Sequence, residues 1–242
     1  MVRRYLFRFR QIRKHQKLWK LLALKTFPWF IYAYICPMDE QQLEMIGRAG
    51  EVFMRYGIKS VTMDDLAREL GISKKTLYKY FRDKNDLVIS IIRLKLEMDK
   101  MACIQCMQDG NNAIDQLFNM SQFVLEHLSK INPSVFFDLK KYHPEAWKLM
   151  NEHKWDFILN SFKENLERGV SQSLYRDNMN IDIVARHYVS SIDTMMQGHV
   201  YPYPEFKLDR VFMELVRLQM RGLASDNGLE YIKQKFNHEI NE

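Results

Sequence analysis

The chain has 242 residues, 47% hydrophobic and 27% charged, with nine glycines, six prolines and three cysteines. That length can bury a real core, and the balance excludes wholesale disorder, a collagen-like or turn-dense β architecture and a disulfide-stapled fold; three cysteines fit a reducing compartment. The net charge of +6 is unevenly placed: residues 1–37 hold nine basic and no acidic side chains, so residues 38–242, with 27 basic and 30 acidic, carry −3.

The basic balance therefore belongs to an N-terminal appendix. There Arg3, Arg4, Arg8, Arg10, Arg13, Lys14, Lys17, Lys20 and Lys25 precede an apolar, aromatic run from Thr26 to Cys36. The run is about half the ~20 residues of a spanning helix, and Pro28 lies inside it. No small-x-small cleavage site of a signal peptide precedes Met38. Composition switches abruptly at Met38-Asp39-Glu40. The favoured reading is a start codon set upstream of a native Met38, or a disordered arm; a membrane-surface anchor and a DNA-contacting arm are the weaker readings.

Beyond Met38 the period is helical. Leu43, Ile46, Gly50, Phe53 and Tyr56 recur at spacings of three and four, and Gly57 can supply the left-handed residue that ends the helix. Thr62 and Asp65 fit a capping box opening a short helix with Met63, Leu66, Ala67 and Leu70 on one stripe. Gly71 breaks it, and Ser73 is positioned to cap the next helix, Lys74 to about Arg82, with Leu77 and Phe81 as its apolar pair. Two short helices joined by a tight turn make a helix-turn-helix.

A long helix is expected from Asp86 through Met101, interrupted at Gly110-Asn111-Asn112, followed by helices over Ile114–Ile131 and, between Pro133 and Pro144, Ser134–Tyr142. Glu145–Arg168 reads as one helix closed by Gly169. Ile181–His199 and Leu208–Gly222 read as two more, joined by Tyr201-Pro202-Tyr203-Pro204, and an amphipathic piece runs from Gly228 to Phe236. With no strand alternation and no fixed repeat, the fold class is all-α.

Residues 73–84 carry Lys74, Lys75, Lys79, Arg82 and Lys84 against Asp83 alone. So much charge on so short a helix exceeds what solubility requires. Thr62 and Ser73 open helices whose unpaired amides favour a phosphate, and Tyr78 and Tyr80 can offer hydroxyls or rings. The run Thr62-Met63-Asp64-Asp65-Leu66-Ala67, continued by Gly71-Ile72-Ser73-Lys74-Lys75-Thr76-Leu77-Tyr78-Lys79-Tyr80-Phe81-Arg82-Asp83-Lys84, closely resembles the DNA-binding domain of the TetR/AcrR family. The motif resemblance spans about residues 43–90, and helix count and length extend it to the C-terminus.

The resemblance implies a homodimeric transcription regulator, usually a repressor, that leaves palindromic operator DNA when a small apolar ligand fills its C-terminal domain. It implies an N-terminal three-helix DNA-binding domain over 38–90 and a helical effector-binding and dimerisation domain over 91–242, in the cytoplasm. Matching family positions and local charge together give the expected DNA contacts Thr62, Ser73, Lys74, Lys75, Thr76, Tyr78, Lys79, Tyr80 and Lys84. Phe123, Phe136, Tyr142, Trp147 and Trp155 come from segments that the family arranges around its pocket. Ile181–His199 and Leu208–Gly222 would form the dimer, with Ala185, Ser190, Ser191 and Gly198 permitting close approach and Leu215, Leu218 and Leu223 supplying apolar area.

Cys103 and Cys106 form an isolated C-x-x-C and read as plain thiols; His143 and His153 do not share a helical face cleanly. No nucleophile-elbow, Walker or dinucleotide motif is present, so no catalytic residues, metal or cofactor are expected. The alternative reading is a membrane-associated helical interaction protein addressed by residues 1–37.

Overall fold

The computed structural model describes residues 38–128, 131–132 and 134–240; the readings placed on residues 1–37 and on Pro133 lie outside them. The described residues form helices α1 (Glu40–Tyr56), α2 (Met63–Leu70), α3 (Lys74–Tyr80), α4 (Lys84–Asp109), α5 (Ala113–Leu128) and α6 (Ser134–Tyr142). There follow α7 (Pro144–His153), a π-helical turn (Lys154–Ile158), α8 (Leu159–Ser171), α9 (Ile181–Met195), α10 (Leu208–Leu223) and α11 (Asp226–Ile240). Among them the sole extended pairing is an isolated bridge between Tyr175 and Ala224. The fold is all-α.

Two units emerge. The first joins the described residues up to Val52 with Thr62–Ile91; the second joins Phe53–Val61 with Ile92 onward. Helices α1 and α4 each contribute to both.

In the first unit Leu43, Ile46, Leu66, Leu70, Leu77, Phe81, Leu87 and Val88 are buried. Removing a Leu side chain of this kind from water contributes about 1.5–3 kcal/mol, enough for a handful to hold short helices that would melt alone. Met45 and Ala49 are also buried, whereas Tyr56, expected on the apolar stripe, is half exposed. Gly57 has the expected left-handed backbone. Helix α4 starts at Lys84 and not at Asp86, because the Asp83 carboxylate accepts the Asp86 N–H at 2.8 Å and caps the first turn.

In the second unit α5 packs against α8 and α10, α8 against α9, and α6 against α7. Ile114, Leu166, Ala185, Val189 and Met220 form the heart of its core. A polar knot is buried with them: Asn165 Nδ2 donates to the Ala113 carbonyl (2.9 Å), and the Tyr175 hydroxyl donates to Asn165 Oδ1 (3.1 Å). Each partner satisfies the next, which is what allows amide and phenol to enter a core. Asp115, also buried, accepts from Tyr231 (2.8 Å) and Lys235 (2.7 Å) and thereby fastens α11.

Three expectations are modified here. The segment 145–168 is helical throughout, as expected, but a π turn at Lys154–Ile158 interrupts its α-helical bonding between α7 and α8. Gly169 does not close it: α8 runs to Ser171, and Gly169 is buried beneath the Tyr175 ring, where a Cβ would stand 1.9 Å from Cδ2. The helix from Ile181 ends at Met195, four residues short of the expected His199, which lies within a turn over Gln197–Val200.

Candidate nucleic-acid interface

Helix α2 opens on the predicted capping box. Thr62 Oγ1 accepts the Asp65 N–H at 3.1 Å, and Asp65 Oδ2 accepts the Thr62 N–H at 3.0 Å. The Thr62 hydroxyl, then its amide, hold the Asp65 carboxyl below the ordinary carboxylate range. Gly71, at φ +69°, turns the chain out of α2. Ser73 Oγ then caps α3, accepting the Thr76 N–H at 3.0 Å and lying 2.8 Å from Thr76 Oγ1.

Once Leu77 and Phe81 are buried, the remainder of α3 is committed to the surface. Lys75, Tyr78 and Lys79, at spacings of three and four, share one exposed stripe, with Tyr78 44% exposed. Lys74 lies beside it and pairs with Asp64 at 2.7 Å, which raises its pKa and keeps it an ammonium. Lys84, in the first turn of α4, is near enough to Asp65 to help depress its carboxyl. The nine residues expected at the interface thus fall on the starts of α2, α3 and α4 and the outer face of α3.

Tyr80 stands apart, since it is half-buried and its hydroxyl already donates to Gln41 Oε1 at 2.9 Å. Sequence reasoning missed this tether and a second one. The Arg48 guanidinium donates to the carbonyls of Leu70 (2.9 Å) and Glu69 (2.8 Å), satisfying the open end of α2. Neither contact has a local signature, because each joins residues more than twenty positions apart. Asp39 did have one: it caps α1 by accepting the Gln42 N–H at 2.7 Å.

In the second unit the five expected ligand contacts are dispersed in character. Phe123 is half-buried against the His127 ring at 4.4 Å; Phe136 and Trp147 are half-buried; Tyr142 and Trp155 are 39% and 40% exposed. An open cleft of about 570 Å³ lies elsewhere, lined by Tyr201, Phe206, Lys207, Arg210 and Leu215 among others. On the expected dimer helices Ile183 and Leu218 are 65% and 70% exposed, whereas Ala185 and Leu223 are buried in the protomer's own core.

Burial pushes the Cys103 thiol up to about 11, and Cys106 is raised for the same reason. His153, stacked on Phe157, is pushed down to about 4 by burial and is neutral at pH 7. Among the described residues no cluster of three His, Cys, Asp or Glu side chains could hold a metal, and no helix is long and apolar enough to cross a membrane.

A capped helix-turn-helix that buries one face and presents a basic, hydroxyl-bearing face is the apparatus of a DNA-binding transcriptional regulator. Residues 46–91 match the family model described as bacterial regulatory proteins, tetR family, which takes in all of α2 and α3. The HTH-type transcriptional regulator YvaF of Bacillus subtilis is 26% identical over 171 residues, covering 69% of this chain and 87% of that protein. A second regulator from the same organism, YfiR, is 24% identical over 177 residues, covering 71% and 85%. Among solved structures, a transcriptional regulator from Cytophaga hutchinsonii gives a TM-score of 0.62 at 18% identity, covering 77% of this chain and all of that one. FadR from Bacillus subtilis, solved with stearoyl-CoA, gives 0.54 at 18%, covering 76% and 100%. The comparisons support a transcriptional regulator of the tetR type, with its DNA-binding domain at residues 46–91. Nothing in these relatives supports the membrane-associated alternative.

Proposed function

We propose that the protein is a homodimeric repressor that acts in the cytoplasm, binds a palindromic operator and is released by a small apolar effector. The observation that carries this reading is the exposed Lys75–Tyr78–Lys79 stripe on a helix whose opposite side is locked into a core. Such a helix enters the major groove with few degrees of freedom left to lose. Lys75, Tyr78 and Lys79 would reach base edges and adjoining phosphates, with Thr76 beside them. Thr62, Ser73, Lys74 and Lys84, at helix starts, would hold phosphates through side chains and neighbouring amides. Tyr80 would join them only by exchanging its bond to Gln41.

A two-fold dimer presents two reading helices, so the operator should be palindromic. The exposed Ile183 and Leu218 favour α9 and α10 as the faces that meet, with Ser190 still open on α9. Phe123, Phe136, Tyr142, Trp147 and Trp155 remain the proposed effector contacts. An acyl ligand in a neighbour of the same fold, FadR, fits an apolar effector.

Selection of bound duplexes from a random pool, followed by a screen of apolar compounds for release, tests the whole reading. Enrichment of a palindrome is expected; no enrichment at low salt overturns it. Lys84→Ala should weaken binding to all duplexes alike and lower the salt slope by about one unit. An unchanged slope in a salt titration would remove Lys84 from the phosphate contacts.

A further inference from the structure

The last turn of α1 and the link after it, residues 53–61, belong by their contacts to the second unit, although the rest of α1 belongs to the first. Several contacts grip this segment. The Asn132 N–H donates to the Met54 carbonyl at 2.8 Å, and its side-chain amide donates to the Arg55 carbonyl at 3.4 Å. Two carbonyls that a helix end leaves open are thus taken up by one residue. The Asn132 side-chain oxygen in turn accepts the Ser134 N–H at 3.0 Å, joining the end of α1 to the start of α6.

Gly57, at φ +84°, passes so near α6 that a Cβ would stand 2.6 Å from Ser134 Oγ. Two residues on, the Lys59 N–H donates to Asp138 Oδ2 at 2.8 Å, and Asp138 is buried. The Lys59 ammonium lies 5.0 Å from the centroid of the Tyr142 ring, at the other end of α6. Three residues later the chain reaches Thr62, the cap of α2.

A surface link requires none of this. Burying a carboxylate is costly, and this one is directed to a backbone amide far away in sequence, on the stretch that leads into the DNA-reading helices. We propose that Asp138 is a positioning residue for DNA binding. Through the Lys59 amide it fixes the link between α1 and α2, so that the reading helices reach the operator with less freedom to lose. This inference rests on the DNA-binding reading above and names a residue that positions that site.

The test compares the full-length chain with Asp138→Ala, Asp138→Asn and Leu139→Ala. Leu139→Ala removes a buried side chain from α6 but none of the clasp's hydrogen bonds, and so controls for lost stability. In the free protein, Asp138→Ala should speed amide exchange at Lys59 and through 62–70 about tenfold while α8 keeps its protection. On the duplex that the wild-type protein selects from a random pool, it should weaken binding about fivefold at an unchanged salt slope, since no phosphate contact is lost. Asp138→Asn should fall between, and folded Leu139→Ala should bind as wild type. Unchanged exchange and affinity in Asp138→Ala, or an equal loss in Leu139→Ala, would overturn the proposal. If the wild-type protein selects no duplex, the DNA-binding reading fails by itself, and the exchange measurement still decides whether the clasp fixes the link.

Discussion

Helices α2 and α8 end in the same hydrogen-bonded motif built on different residues. In α2 the Gly71 N–H donates to Arg68 O (3.1 Å) and the Ile72 N–H to Ala67 O (3.0 Å). In α8 the Ser173 N–H donates to Val170 O (2.9 Å) and the Leu174 N–H to Gly169 O (3.0 Å). Both are Schellman ends, which require one residue in the left-handed region. In α2 that residue is Gly71, at φ +69°; in α8 it is Ser173, at φ +56°. The glycine of α8 stands four positions earlier, inside the helix. Gly71 is a glycine because of its own backbone, with nothing within 4 Å of the place a Cβ would occupy. Gly169 is a glycine because of the Tyr175 ring.

That difference is sharpest under alanine substitution. Gly169→Ala drives a methyl into a ring that cannot retreat, since Tyr175 is buried and its hydroxyl is bonded to Asn165 and to the Ala113 carbonyl. A loss of about 3 kcal/mol is expected from overpacking and broken buried hydrogen bonds, read as a lower urea midpoint. In a Tyr175→Ala background the same substitution should cost far less. Additive losses in that double-mutant cycle would mean that the ring is not the reason for the glycine.

Gly71→Ala meets no neighbour and should cost about 1 kcal/mol, the strain of a left-handed alanine. Gly71→Asn should recover part of it. If Gly71→Ala were as costly as Gly169→Ala, the distinction between backbone and packing glycines would collapse.

The contrast also explains which parts of the protein could be read from its sequence. The caps at Thr62 and Ser73, the turn at Gly71 and the apolar pair Leu77–Phe81 are settled by residues within five positions of one another. Sequence patterns record those interactions, and the exposed basic stripe follows from them by elimination. By contrast, Gly169 is placed for the Tyr175 ring six residues on, which is itself held by the Ala113 carbonyl 62 positions away. Such a glycine looks the same in sequence as one placed for a turn, and no short-range pattern marks the π turn or the early end of α9. For the same reason Tyr80 reads as a hydroxyl or ring on offer to DNA although Gln41 holds its hydroxyl, and Ala185 and Leu223 read as dimer contacts although their own protomer buries them. The Asp138–Lys59 bond, 79 positions apart, belongs to this second class and leaves no local pattern to read.

Ser173 offers the smallest effect and the only one of opposite sign. A serine at φ +56° carries the left-handed penalty of any residue with a Cβ, about 1–2 kcal/mol, against which glycine loses about 0.5–1 kcal/mol through its freer unfolded chain. Ser173→Gly should therefore stabilise the protein by about 0.5 kcal/mol. The side chain is exposed, and it is the Ser173 carbonyl, retained in glycine, that accepts the Ser225 hydroxyl at 2.7 Å, so no contact is forfeited. A raised urea midpoint at unchanged m-value is the expected reading. A lowered midpoint would mean that the serine side chain, and not the backbone bonds of the motif, secures the end of α8, and the likeness of the two helix ends would then stop at their geometry.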